Sequence, residues 1–242
     1  STMINVIGLG YIGLPTALMF AAHGLEVVGT DSNSAVVDEL VAGNITFKED
    51  GLKPLFDRAL AGSIRFSTDY QIADTYIVSV PTPYDKETKK IDASIVCAAV
   101  STIVDVCSDG ATIIIESTVS PGTIDRCVRP LLAGRSIDLV HAPERIIPGK
   151  MMHELIHNAR TIGADNADTA QRVRQLYSSF CVGEITTTDI RTAELTKVVE
   201  NTFRDINIAF ANELARLCHE AELDVYEVIR IANMHPRVNI LN

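Results

Sequence analysis

Positive charge is scarce in this sequence. Its 21 lysines and arginines face 31 aspartates and glutamates, a formal net charge of −10 over 242 residues. Such a surface repels phosphate backbones and anionic lipid, so neither nucleic acid nor a membrane is expected as a partner. Paired cysteines are missing too. Cys97, Cys107, Cys127, Cys181 and Cys218 form no Cys-x-x-Cys pair. Without a secretory signal they read as thiols of a reducing, cytoplasmic compartment, and no metal is expected. Long apolar runs are also lacking: Gly10, Gly13, Pro15 and His23 interrupt residues 9–25, short of the ~18 uninterrupted residues of a membrane span. There is no internal repeat and no Ser/Gly-rich linker. Ser1 and Thr2, ahead of Met3, read as a cloning remnant, with Met3 the natural start.

What is present is apolar bulk. Hydrophobic residues make up 47% of the chain, enough for a substantial core. The length suits one large domain, or one domain and part of another. Short β-branched runs, Met3–Ile7, Glu26–Thr30, Ile64–Ser67, Thr75–Val80, Thr112–Glu116 and Asp138–His141, read as strands. Between them lie helical patterns at Tyr11–His23, Ser34–Ala42, Leu52–Ala61, Asp92–Cys107 and Thr123–Leu132. Strands separated by helices of this length form βαβ units, hence a doubly wound, Rossmann-like parallel sheet covered on both faces. A further helix at Asn166–Phe180 and a short edge strand at Glu184–Thr187 complete the expected domain, residues 1–188.

From Ile190 to about Ala221 neither proline nor glycine occurs, and apolar residues recur at helical spacing. Asp189 is typed as the N-cap. A helix near 30 residues would be ~45 Å long, more than a single domain uses. It reads as a spine opening an all-helical, incomplete domain at residues 189–242. Its second half, NIAFANELARLC, is apolar over more than one stripe, which points to burial against a second copy of the chain; an amphipathic helix packed within its own chain is the alternative.

Gly8, Gly10 and Gly13 form Gly-x-Gly-x-x-Gly directly after a strand and at the start of a helix, with Tyr11 and Ile12 between them. Asp31 follows about 20 residues on, at the end of the next strand, where a ribose-binding acid belongs. The backbone laid bare there, with the helix N-terminus behind it, suits a pyrophosphate. A 2′-phosphate against Asp31 would cost roughly 4 kcal/mol per charge pair at an effective dielectric of 20. No Arg or Lys in Ser32–Val37 offsets that, so NAD is expected rather than NADP.

Four further segments fit no generic dinucleotide-binding template: Val80-Pro-Thr-Pro83, Glu116-Ser-Thr-Val-Ser-Pro-Gly-Thr123, Ala142-Pro-Glu-Arg-Ile-Ile-Pro-Gly149, and Glu194-Leu-Thr-Lys197 with Asn201. Together with GLGYIGLP they resemble the UDP-glucose/GDP-mannose dehydrogenase family, from Met3 to Asn242. PERIIPG, ENTFRDINIAFANEL and HPRVNIL resemble the branch acting on UDP-N-acetylmannosamine, an enzyme of polysaccharide biosynthesis. The resemblance implies a four-electron oxidation of a sugar C6 alcohol to a carboxylate with two NAD, through a thiohemiacetal and a thioester on a cysteine. It implies Val80, Pro81, Thr82 and Thr118 at the cofactor. It implies Lys197 and Asn201 at the oxyanion, Glu144 as the base of thioester hydrolysis, and Thr118 beside its water. Glu144, Arg145, Lys197, Asn201 and Arg204 would meet the UDP-sugar, and the long helix would pair two subunits.

Two departures stand out. The second glutamate of forms acting on UDP-glucose is replaced by Pro148. The nucleophile's Gly-Gly-x-Cys segment belongs beyond HPRVNIL, where this chain stops, so the resemblance implies a truncated chain that binds NAD without turnover. Cys97, Cys107, Cys127 and Cys218 fall on helical patterns and read as small buried apolar residues; Cys181 falls at a helix-to-strand connection. Two alternatives stay open: a single-hydride dehydrogenase of the hydroxyacid or 6-phosphogluconate kind, and a non-catalytic NAD-binding module.

Overall fold

The structure, a computed structural model, describes residues 2–241. Ser1, in the extension read ahead of Met3, and Asn242, the last residue of the resemblance, lie outside the described residues. The chain divides into two compact units, one running through Leu195 and the other starting at Thr196.

In the first unit the elements are β1 (Met3–Ile7), α1 (Gly13–Ala22), β2 (Glu26–Thr30), α2 (Ser34–Val41), α3 (Leu52–Ala61), β3 (Ile64–Ser67), β4 (Thr75–Val78), β5 (Tyr84–Asp85), β6 (Lys90–Ile91), α4 (Ser94–Val106), β7 (Thr112–Ile115), β8 (Asp138–His141), α5 (Met151–His157), β9 (Arg160–Ala164), α6 (Ala167–Tyr177) and β10 (Ile185–Thr188). Eight strands form one sheet in the order β10-β9-β8-β7-β4-β1-β2-β3. The central strands are apolar on both faces, as a sheet covered by helices on each side requires. One buried cluster packs α1 and α3 against β1 and β2, and another packs α4 against β4 and β7.

Three sequence expectations need correction. The sheet is not wholly parallel: β9, absent from the expected strands, runs antiparallel to β8. The short connection through α5 returns the chain in the opposite direction, where a parallel neighbour needs a full crossover. Residues 123–132 form no α-helix but a π-helical turn at Ile124–Val128 followed by a 3₁₀ turn at Arg129–Leu132. Pro130 is the physical reason, since it donates no N–H and its ring crowds the carbonyl four residues back. Finally, Cys127 is exposed and Cys97 half-buried, whereas Cys107, Cys181 and Cys218 are buried. In the π turn Ile124 and Val128 take the core face, which leaves Cys127 pointing outward.

The long helix α7 (Ile190–Glu220) begins in the first unit and continues into the second. Asp189 accepts the Thr192 N–H at 2.8 Å, the capping bond its residue type suggests. Glu194, fully buried, accepts N–H bonds from Gly122 at 3.3 Å and Ile124 at 3.2 Å. Those bonds, with buried Ile190 and Ala193, extend the first unit through Leu195. In the second unit α7 ends at Glu220, Glu222 follows it with a positive φ of 58° that turns the chain out of the helix, and α8 (Val225–Ala232) is capped by Asp224. Asn207 ties α7 to the terminal segment through the Asn239 carbonyl and the Leu241 N–H. Val199, Phe203, Ile206 and Phe210 on α7 are all more than half exposed.

Candidate functional site

The turn from β1 into α1 is built so that only glycine fits at two of its positions. A side chain at Gly8, where φ is +97°, would put its Cβ 2.5 Å from the Ser79 carbonyl oxygen. At Gly13 a Cβ would fall 1.7 Å from the Gly8 carbonyl oxygen, so the first turn of α1 rests directly on the loop. Gly10 differs: a Cβ there would meet nothing within 4 Å. The loop is thus closed on its protein side and open on the other. No side chain caps α1, which leaves its first-turn N–H groups without a competing side-chain acceptor.

The open side faces a cavity of about 700 Å³ lined by Gly8, Gly10, Tyr11, Ile12, Asp31, Val80 and Pro81. Asp31 sits at its edge. One carboxylate oxygen accepts the Leu9 N–H and the other the Asn33 N–H, both at 2.9 Å. A carboxylate has about four acceptor positions, so ribose hydroxyls can still be received there. Tyr70, Ile95 and Ala99, which sequence reasoning did not single out, supply an apolar wall. A bared glycine turn, a helix N-terminus, a free-edged carboxylate and an apolar slot are the parts a dinucleotide needs, and the residues present fit one.

A second cavity, of about 180 Å³, adjoins the first. Ile12, Ser79, Val80 and Pro81 line both, and here Thr82, Glu116, Thr118 and Glu144 join them. Thr118 and Glu144 follow β7 and β8, so both stand beyond strand C-terminal ends, where open α/β sheets bind ligands. The Glu144 carboxylate is steadied by the Ile146 N–H at 2.7 Å. Arg145, its neighbour, donates to the Ala159 carbonyl at 3.1 Å and to Thr161 Oγ1 at 2.9 Å on β9. Its guanidinium braces the loop against the sheet.

Sequence reasoning quoted Glu116 only as part of a motif. It closes the apolar run of β7 and is 2% exposed. Ser79 Oγ donates to Oε1 at 2.7 Å and the Tyr177 hydroxyl to Oε2 at 2.6 Å, while Arg160 Nη1 stands 3.7 Å away. Burial pushes its proton affinity up; Arg160, Tyr177 and Ser79 pull it back, and the charge of Glu144 pushes it up again. The signal that could have exposed it is a charged residue terminating a run that must be buried.

Lys197, Asn201 and Arg204 lie in the second unit, four and seven residues apart on α7, hence on one helix face. Lys197 is half-buried; Asn201 and Arg204 are exposed. None of the five cysteines lines either cavity. Among the described residues no group of three or more His, Cys, Asp or Glu could hold a metal ion, and no helix is long and apolar enough to cross a membrane.

Comparison with known proteins fits this architecture. Residues 2–181 match the NAD binding domain of the UDP-glucose/GDP-mannose dehydrogenase family, and residues 191–242 match its central domain. The UDP-N-acetyl-D-mannosamine dehydrogenase of Methanococcus maripaludis is 46% identical over 99% of the chain, which covers 56% of that protein. The solved UDP-N-acetyl-mannosamine dehydrogenase of Staphylococcus aureus is 43% identical with a TM-score of 0.90, over 100% of this chain and 60% of that one. The UDP-D-ManNAc dehydrogenase of Pyrococcus horikoshii is 40% identical with a TM-score of 0.93, over 99% of this chain and 59% of that one. The chain therefore spans little more than half the length of these relatives. With both of its units matched in order, it belongs to the UDP-glucose/GDP-mannose dehydrogenase family and carries that family's NAD-binding domain.

Proposed function

We propose that the chain is the NAD-binding and helical part of a nucleotide-sugar 6-dehydrogenase that oxidises UDP-N-acetylmannosamine to the uronate, a cytoplasmic step supplying polysaccharide biosynthesis. The observation that carries this reading is the shared wall: Ile12, Ser79, Val80 and Pro81 separate the dinucleotide cavity from the one holding Thr118 and Glu144. A dinucleotide in the first cavity would thus bring its hydride-accepting end beside a carboxylate able to handle protons. The names of the relatives support the sugar.

NAD supplies the hydride acceptor. The overall change, alcohol plus two NAD⁺ and water giving carboxylate, two NADH and three protons, leaves protons for the protein to move. Gly8, Gly10 and the α1 N-terminus would hold the pyrophosphate, Asp31 the adenosine ribose, and Tyr11, Val80, Pro81 and Thr82 the remaining length. Glu144 takes a proton from attacking water, which Thr118 helps to place. Lys197 and Asn201 stabilise the developing oxyanion, a contribution of typically a few kcal/mol. Arg145 and Arg204 belong to the sugar nucleotide's side. In this reading residues 1–188 hold NAD, and residues 189–242 begin the domain through which two copies pair along α7, covering Phe203, Ile206 and Phe210.

Counting NADH per sugar consumed by the full-length parent tests the reaction. Two per sugar is the expected result; one would assign a single-hydride dehydrogenase, and none a non-catalytic NAD-binding module.

A further inference from the structure

The cavity of Glu144 contains a second carboxyl. It comes from another strand: Glu116, at the end of β7, lines the same 180 Å³ space as Glu144 and Thr118. Its setting is unlike that of a surface acid. Both oxygens receive hydroxyl donors, Ser79 from the end of β4 and Tyr177 from α6. Arg160 of β9, 6% exposed, lies 3.7 Å away with its Nη1 bonded to no other group, its guanidinium stacked 4.5 Å over the Tyr177 ring. A buried arginine so placed is tolerated only while its partner is ionised.

Among the described residues, Arg160, Tyr177, Ser79 and Glu144 act on the Glu116 carboxyl. His141 and Arg145 lie on and after β8, close in the chain to Glu144. His141 Nδ1 is bound to the Ile115 carbonyl, burial holds the ring neutral, and its pKa falls to about 4. The Arg145 guanidinium is engaged on Ala159 and Thr161. The Glu116–Arg160 pair is thus a buried charge pair bordering the cavity that Glu144 also lines.

We propose that Glu116 is a positioning residue of this site: paired with Arg160 under the cavity floor, it sets the charge that Glu144 meets when it takes up a proton. The inference rests on the reading of Glu144 as the base. Removing the Glu116 charge leaves Arg160 uncompensated and favours ionised Glu144; removing the Arg160 charge as well leaves a neutral floor and cancels that effect.

The test is a carboxyl titration by NMR of the 242-residue chain carrying ¹³C-labelled glutamate, with Glu144 assigned from the signal lost in Glu144→Gln. Glu116→Gln should lower the Glu144 midpoint by about half a pH unit or more, and Glu116→Gln/Arg160→Met, which removes both charges, should bring it back. Arg160→Lys should leave it in place. A midpoint that stays fixed in Glu116→Gln, or that falls as far in the double variant, overturns the proposal. A Glu116→Gln chain that no longer melts cooperatively also overturns it, by making the pair purely structural; if only the double variant fails to fold, Glu116→Gln and Arg160→Lys decide. The readout needs no turnover. The expected shifts with a wrong NADH count would sink the proposed reaction alone, and fixed midpoints with two NADH per sugar would sink this proposal alone.

Discussion

Asp31 holds the glycine loop as well as offering itself to a ligand: its carboxylate accepts the Leu9 N–H at 2.9 Å, between Gly8 and Gly10. The acid at the end of β2 and the bared turn after β1 are one mechanical unit. Asp31→Ala should therefore weaken NAD binding by more than the loss of ribose contacts alone. A hydrogen bond to a charged group contributes about 1.5–3 kcal/mol, so a loss of roughly ten- to a hundredfold in affinity is expected by calorimetry. An unchanged Kd would remove Asp31 from the site.

The three glycines should separate into two classes. Gly13→Ala drives a methyl into the Gly8 carbonyl and should destabilise the fold by about 3 kcal/mol or more, read from thermal or urea melts. Gly10→Val meets no protein atom at its Cβ, so the melt should barely move while NAD binding is lost. A folded Gly13→Ala chain with normal stability would contradict the packing described.

His141 gives a pH signature. Fully buried, it stays neutral in the native chain down to about pH 4, while the unfolded chain binds a proton below 6.5. Its contribution to stability is intact above 6.5 and lost as pH falls from 6.5 to about 4, up to about 3 kcal/mol. Stability measured at pH 7 and 4.5 should fall less in His141→Asn than in the parent. Equal losses would exclude His141 as a source.

Glu194 pins the start of α7 to the 122–124 turn through two backbone N–H groups. Glu194→Ala leaves the buried Ile124 N–H without its partner, at about 1–3 kcal/mol, and the half-buried Gly122 N–H without its own at less. Hydrogen exchange at Gly122 and Ile124 should accelerate sharply; unchanged protection would show that the turn holds itself.

The exposed face of α7 predicts self-association. Phe203→Asp should convert a dimer to a monomer in sedimentation, with NAD affinity retained; a parent chain that is monomeric at all concentrations would reject pairing through this helix.

Much of this was legible in the sequence for definite reasons. β-branched runs closed by Gly8, Asp31 or Pro81 marked β1, β2 and β4, and an uninterrupted helical period ahead of Glu222 marked α7. Phe203 and Ile206 of that helix are exposed. β9 was not legible, because Arg160 opens it and Gly163 interrupts a run of only five residues. An arginine enters a strand core only when a buried partner exists, and Glu116 lies 44 residues away along the chain. The turn at Ile124–Val128 was misread as α-helix because its apolar spacing is helical and only Pro130 disturbs it. The dinucleotide cradle was readable because it is made by backbone and local spacing. The floor beneath Glu144 was not, because it is assembled by β4, β7, β9 and α6 together.

The most direct measurement is a crystal structure of the chain with NAD bound. The adenosine ribose should lie on the Asp31 carboxylate, the pyrophosphate over Gly10, and the nicotinamide against Val80 and Pro81, beside the Glu144 cavity. Coenzyme seated in another cleft, or with its reactive ring turned away from that wall, would contradict the account.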